Sequence, residues 1–256
     1  MKALRRLFTR LFAIGLTAAA GVAGAQAATI NVAVAANFTE PAKALAREFA
    51  KTGNEAKLSF GATGSFYAQI KNGAPFDVFM AADEKRPLLL EQEGDAVPGS
   101  RMTYAIGQLV LWSAKPGFVD AYGHILKTGD FNKLAIANPK LAPYGMAAEQ
   151  TIAKLGLTEA LKSKLVMGES IGQTQNFVAS GNAELGFVAL SQVLNPNGKL
   201  KSGSAWIVPA FDHAPIVQDA VILKRAADNP AARAWMALLQ SPATRALLKA
   251  YGYAAK

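Results

Sequence analysis

Four short segments combine hydrogen-bond donors with residues that open helices: Ala36-Asn37-Phe38-Thr39, Gly61-Ala62-Thr63-Gly64-Ser65, Pro143-Tyr144-Gly145 and Ser170-Ile171-Gly172-Gln173-Thr174. None contains lysine or arginine. Each follows an apolar run and precedes a helical stretch, so each brings unsatisfied backbone N–H groups and a partial positive charge next to polar side chains. Four such ends aimed at one point would bind an anion with no cationic side chain. Asn37 and Thr63 are the central side-chain donors, and Ala36, Thr39 and Ser65 stand beside them as further donors. Tyr144 offers an N–H or a hydroxyl, Ile171 and Gly172 only backbone N–H groups, and Gln173 a neighbouring amide. Asn, Ser and Thr also serve as plain helix caps. Gly61 and Gly64 around Thr63 argue for more than a cap, because glycine lets the backbone approach a ligand closely.

A site made only of donors suits a fully deprotonated oxyanion. A protonated one presents a hydroxyl that needs an acceptor, and leaving it unpaired costs about 1 to 3 kcal/mol. Molybdate, tungstate and sulfate carry no such proton near neutral pH, whereas phosphate usually keeps one.

The elements that must position these loops alternate along the chain. Strand-like Thr29 to Ala35, Lys57 to Phe60 and Val78 to Ala81 are followed by helical Pro41 to Lys51, Phe66 to Asn72 and Glu84 to Glu91. Ala42, Leu45, Ala46 and Phe49 give the first helix an i, i+3, i+4, i+7 apolar stripe. Tyr104 to Trp112 reads as one central strand; Lys133 to Ala137, Leu165 to Gly168 and Leu185 to Leu190 follow as strands, with helices over Met146 to Leu155 and Gln175 to Ala179. Pro215 to Leu223 is a last strand before two helices, the final one opened by Ser241-Pro242. The pattern predicts an α/β fold with mainly parallel sheets, whose strand-to-helix loops gather at the strands' carboxyl ends. Two such units face to face make a cleft. No tandem repeat is visible in the sequence.

Composition narrows the function. Met1 to Arg10 carries four basic residues and is followed by the apolar run Leu11 to Leu16 and Ala25-Gln26-Ala27, the pattern of a secretory signal peptide over residues 1–27, cut near Ala27. Its removal leaves 23 Lys+Arg against 18 Asp+Glu, a net charge of +5 in place of +9. The remaining basic residues are scattered without an aromatic ladder, which argues against nucleic acid. Zero cysteines exclude disulfides and thiolate chemistry. The two histidines, His124 and His213, lie far apart and belong to no hydrolase or zinc motif, so the chain reads as a binding protein and not an enzyme, with no cofactor and no resident metal ion.

With these residues in view, the chain resembles periplasmic molybdate-binding proteins, the capturing components of ABC importers. The likeness runs over the whole mature sequence and is most specific at Gly73-Ala74-Pro75-Phe76-Asp77-Val78-Phe79-Met80-Ala81-Ala82-Asp83, similar to the family's GAP-x-D-x-F-x-x-AD segment. On its own chemistry that segment is a turn, a buried strand and an Asp83 helix cap. The resemblance implies that Asn37, Thr63, Tyr144 and Ile171 hold the oxyanion. It departs from the best-known branch, which has serines at the first two positions and a tyrosine after the strand ending at Ala189, and is similar to a second branch with asparagine first and a tyrosine in the third loop. It also implies a two-lobed (type II) periplasmic binding-protein fold with crossings near Tyr104 to Gly107 and Asp212 to Ile216: lobe 1 from residues 28–106 plus 213–256, lobe 2 from 107–212. The expected partners are molybdate or tungstate and an inner-membrane permease, with the protein itself a periplasmic monomer; a receptor for another small anion such as sulfate is the alternative.

Overall fold

The computed structural model describes residues 28–254; the expected signal peptide lies outside them. The first half runs β1 (Thr29–Ala35), a short 3-10 turn over Ala36–Phe38, α1 (Thr39–Ala50), β2 (Glu55–Gly61), α2 (Thr63–Lys71), β3 (Val78–Met80), α3 (Lys85–Gln92) and β4 (Met102–Gly107). The second half runs β5 (Leu109–Ser113), α4 (Ile125–Thr128), β6 (Leu134–Ala137), α5 (Pro143–Lys154), α6 (Thr158–Leu161), β7 (Leu165–Gly168), α7 (Ile171–Ala179), β8 (Leu185–Ala189), α8 (Leu190–Val193) and β9 (Ser204–Ile207). The chain then returns through β10 (Ile216–Ile222), α9 (Pro230–Gln240) and α10 (Pro242–Ala250).

Two five-stranded sheets result, ordered β2-β1-β3-β10-β4 and β7-β6-β8-β5-β9. In the first, β1 lies parallel to β2 and β3, and β10 runs antiparallel between β3 and β4. The second repeats the plan: β6 is parallel to β7 and β8, and β5 runs antiparallel between β8 and β9. Each lobe therefore has three parallel strands whose carboxyl ends deliver the chain to helices at one edge. The shared topology is invisible as a sequence repeat.

Period-two alternation drives the first sheet. Ile30, Val32 and Val34 of β1 face one core with Leu45 and Phe49 of α1 and Trp235 of α9, while Ala33 faces the other with Phe66, Phe79 and Leu90. The stripe expected on the first helix is the buried face of α1, with Ala46 at its margin. Asp77, in the segment that carried the family likeness, accepts the Asn31 N–H at 2.7 Å and pairs with Arg225. Asp83 Oδ1 accepts the Arg86 N–H at the entry to α3, the capping role expected of it.

The Tyr104 to Trp112 stretch is not one strand. It divides at Gln108, with β4 in one sheet and β5 in the other. At Gly107, the last residue of β4, only a glycine fits, since a Cβ would lie 2.1 Å from the Tyr144 hydroxyl and 2.6 Å from Gln218 Nε2. Apolarity alone carries no mark of that passage between sheets.

Trp235 is fully buried, edge-on to Phe49 with ring centroids 5.3 Å apart. Replacing a buried tryptophan by alanine costs about 3 to 5 kcal/mol, so Trp235→Ala is expected to lower the unfolding free energy by that amount. A denaturation midpoint equal to that of the wild type would refute this placement of the core.

Candidate functional site

The four segments singled out in the sequence are helix openings at the interface of the two lobes. Asn37 lies in the 3-10 turn after β1, Thr63 is the first residue of α2, Tyr144 the second of α5 and Ile171 the first of α7. The sequence reading started these helices later; the donor residues instead form the first turns themselves. First-turn N–H groups have no carbonyl partner within their helix, which makes the placement more favourable for an anion than a preceding loop would be.

All four residues line one small cavity of about 10 Å³, room for about one water-sized sphere, together with Ala35, Ala36, Gly61, Ala62, Ala82, Ala142 and Pro143. Organic ligands of drug size need roughly 300 to 1,000 Å³, far more than this cavity offers, so it leaves room only for a ligand of a few atoms. None of its lining side chains is charged. Asn37, Thr63, Tyr144 and Ile171 are all buried, Tyr144 with 1% of its surface exposed.

Each donor is held by a specific partner. Thr63 Oγ1 accepts the Ala82 N–H at 3.0 Å, which leaves its hydroxyl hydrogen available to the cavity. Gln192 Nε2 donates to the Ile171 carbonyl at 3.0 Å, and its Oε1 accepts the Ala189 N–H, tying α7 to the end of β8. Asn37 Nδ2 donates to Gln218 Oε1 at 2.9 Å and to the Tyr253 hydroxyl at 3.0 Å. Gln218 Nε2 in turn donates to the Tyr144 hydroxyl at 3.1 Å. Burial holds the Tyr104 and Tyr144 hydroxyls well above the ordinary tyrosine range and raises Tyr253 as well, so all three keep their protons.

The further donors expected from the sequence divide. Ala36 lines the cavity, and Gly172 stands against it, where a Cβ would come within 3.3 Å of the Ala36 methyl. Thr39, Ser65 and Gln173 do not line it. Thr39 Oγ1 donates to the Ala36 carbonyl at 2.8 Å, and the Gln173 side chain accepts the Glu169 N–H while its own N–H goes to Ser170 Oγ. Gly64 also has a different role from the one expected. Its N–H donates to the Leu141 carbonyl of the other lobe at 2.8 Å, and a Cβ there would lie 3.0 Å from Leu141 Cα. Its smallness serves lobe contact, not ligand approach.

That contact is one of several that fasten the lobes around the cavity. Arg86 Nη2 donates to the Lys140 carbonyl at 2.9 Å, the Ala214 N–H to Gln150 Oε1 at 2.9 Å, and Ser191 Oγ to the Asn37 carbonyl at 2.8 Å. Sequence reasoning missed Tyr104, Ser191, Gln192, Gln218 and Tyr253. The one available signal was Gln218-Asp219, two polar residues inside the otherwise apolar β10.

Comparison with known proteins agrees with this architecture. The model of the bacterial extracellular solute-binding protein family matches residues 30–254. A molybdate-binding protein ModA of Azotobacter vinelandii is 60% identical over 251 residues, spanning 98% of this chain and 97% of its own. One from Rhodobacter capsulatus is 49% identical over 251 residues, spanning 96% and 98%. The solved structure of an Azotobacter vinelandii periplasmic molybdate-binding protein superposes with a TM-score of 0.86 at 46% identity, covering 89% of this chain and 99% of its own. With its two-lobed fold, the chain belongs to the bacterial extracellular solute-binding proteins, in the branch of the periplasmic molybdate-binding proteins.

Proposed function

We propose that this protein captures molybdate in the periplasm and delivers it to a membrane ABC importer, acting as a receptor and not as an enzyme. The observation that carries this reading is the small interlobe cavity, lined by helix first turns and neutral donors and by no charged side chain. Asn37 and Thr63 supply side-chain donors, and the first-turn N–H groups at Thr63, Tyr144 and Ile171 supply the rest. Tungstate, equal in charge and nearly equal in size, binds to the same groups, since neutral donors separate the two weakly. Residues 1–27 direct export and are removed near Ala27, and the mature protein works as a monomer that presents its closed form to the permease.

Calorimetric titration with molybdate, tungstate, sulfate and phosphate tests the reading. Tight binding of molybdate and tungstate, with sulfate and phosphate much weaker, is the expected result. Absence of heat with all four would remove the proposal, and preference for sulfate would replace the ligand.

Thr63→Ala removes a hydroxyl that meets the anion and is expected to weaken molybdate by about 1 to 3 kcal/mol, while Thr63→Ser keeps the hydroxyl and most of the affinity. Equal affinities for Thr63→Ala and wild type would reduce Thr63 to the support of Ala82.

Because burial raises the Tyr144 hydroxyl, its proton stays in place where an exposed tyrosine ionises. Molybdate affinity is therefore expected to be level from about pH 7 to about pH 10. The same shift stabilises the fold fully below the ordinary tyrosine value, and that contribution declines only as pH rises beyond it. An affinity that falls steeply between pH 8 and 9 would show an ionising group at the site.

A further inference from the structure

Asn37 Oδ1 is buried and accepts no hydrogen bond. A carbonyl oxygen in that state is costly, and it belongs to a residue that lines a cavity otherwise furnished with donors. The neighbours define what relieves it. Gln218, fully buried, places Oε1 within 2.9 Å of Asn37 Nδ2 and 3.1 Å of the Tyr104 hydroxyl, and Nε2 within 3.1 Å of the Tyr144 hydroxyl. The Tyr104 hydroxyl has a second acceptor, the Ala81 carbonyl at 2.9 Å. The Tyr253 hydroxyl lies 3.0 Å from Asn37 Nδ2.

A half-turn of the Asn37 amide alone would oppose two carbonyl oxygens, Asn37 Oδ1 and Gln218 Oε1. A half-turn of both amides satisfies every group. Gln218 Nε2 then donates to Asn37 Oδ1 and to the Tyr104 hydroxyl, whose own proton goes to Ala81. The Tyr253 hydroxyl, which lies 3.1 Å from both the Asn37 carbonyl and Ser191 Oγ, then donates to Asn37 Oδ1 and leaves that carbonyl to Ser191, and the Tyr144 hydroxyl donates to Gln218 Oε1. Asn37 Nδ2 takes the place of the orphaned oxygen and becomes a donor for an anion.

We propose that Gln218 is a positioning residue that couples oxyanion binding to lobe closure: it holds the Asn37 amide with Nδ2 toward the ligand and at the same time receives the Tyr144 hydroxyl of the opposite lobe. The backbone is built for this contact. Gln218 pairs with Ala105 and Asp219 with Thr103, so Tyr104 is the extra residue of a bulge in β4. Bulges re-aim side chains beside functional sites, and Tyr104 and Ala105, consecutive in sequence, consequently face the same core. The proposal rests on the reading that Asn37 meets the oxyanion.

The test combines molybdate calorimetry on Asn37→Ala, Gln218→Met and Gln218→Glu with NMR of the side-chain amide groups of the wild type, the Gln218 pair being assigned by its loss in Gln218→Met. Gln218→Met is expected to weaken molybdate about tenfold or more by leaving Asn37 unoriented. Gln218→Glu, whose carboxylate only accepts and so retains Asn37 Nδ2, is expected to weaken it further. On saturation with molybdate, the amide resonances of both Asn37 and Gln218 are expected to shift. Loss of affinity in Asn37→Ala with wild-type affinity in Gln218→Met would overturn the coupling and leave the site reading intact. Wild-type affinity in Asn37→Ala would overturn the site reading itself. Where a Gln218 variant fails to fold, unmoved Gln218 amide resonances in the saturated wild type overturn the coupling.

Discussion

Helix openings of like polarity meet between the two lobes, and the rest of the structure follows from holding them there. α2 begins on one side of the cavity and α5 and α7 on the other, with the 3-10 turn at Asn37 beside them. Each helix end carries up to about half a positive charge, so bringing the ends together around an empty space is unfavourable. A dianion reverses the sign of that term. Closure and binding are thereby linked through electrostatics, and hydrogen bonds between the lobes, from Gly64 to Leu141 and from Arg86 to Lys140, fix the geometry in which the link operates.

Neutral donors would also discriminate between anions better than cations could. A lysine or arginine attracts any anion within range, whether protonated or not. A buried set of N–H and O–H groups distinguishes them, because each ligand oxygen must accept and an oxygen that bears a proton has nothing to receive it. The distinction depends on the donors staying protonated and dry. Burial serves both: it keeps the tyrosine hydroxyls neutral, and Asn37, Thr63, Tyr144 and Ile171 lie almost wholly out of contact with solvent.

The parts of this site legible in the sequence are local ones. Asn37, Thr63, Tyr144 and Ile171 stand next to strand ends and helix starts, where residue type and position carry a direct physical meaning. Gly107 and Gln218 are different. Gly107 is read correctly only when Tyr144, from the opposite lobe, is known to lie against it. Gln218 and Tyr253 reach Asn37 from 181 and 216 residues away in the chain, and no periodicity reports such a meeting. Thr39, Ser65 and Gln173 fail in the opposite direction. They have the right chemistry beside the right loops, but local backbone partners take the polar groups of Thr39 and Gln173, and the turn of the helix carries Ser65 off the cavity wall.

The repeated topology gives the supporting residues a common logic. In each lobe the first two parallel strands end at groups that line the cavity: β1 and β2 at Asn37 and Thr63, β6 and β7 at Tyr144 and Ile171. The third strand of each lobe ends in support. After β3, the Ala82 N–H donates to Thr63 Oγ1; after β8, Gln192 donates to the Ile171 carbonyl. In both lobes, then, the end of the third strand steadies the helix that follows the second, although one lobe does so with a backbone N–H and the other with a side-chain amide. Ala189, which lacks the hydroxyl found at that point in the best-known branch, fits this division. The contribution from the end of β8 is made two and three residues later, by Ser191 on the Asn37 carbonyl and Gln192 on Ile171.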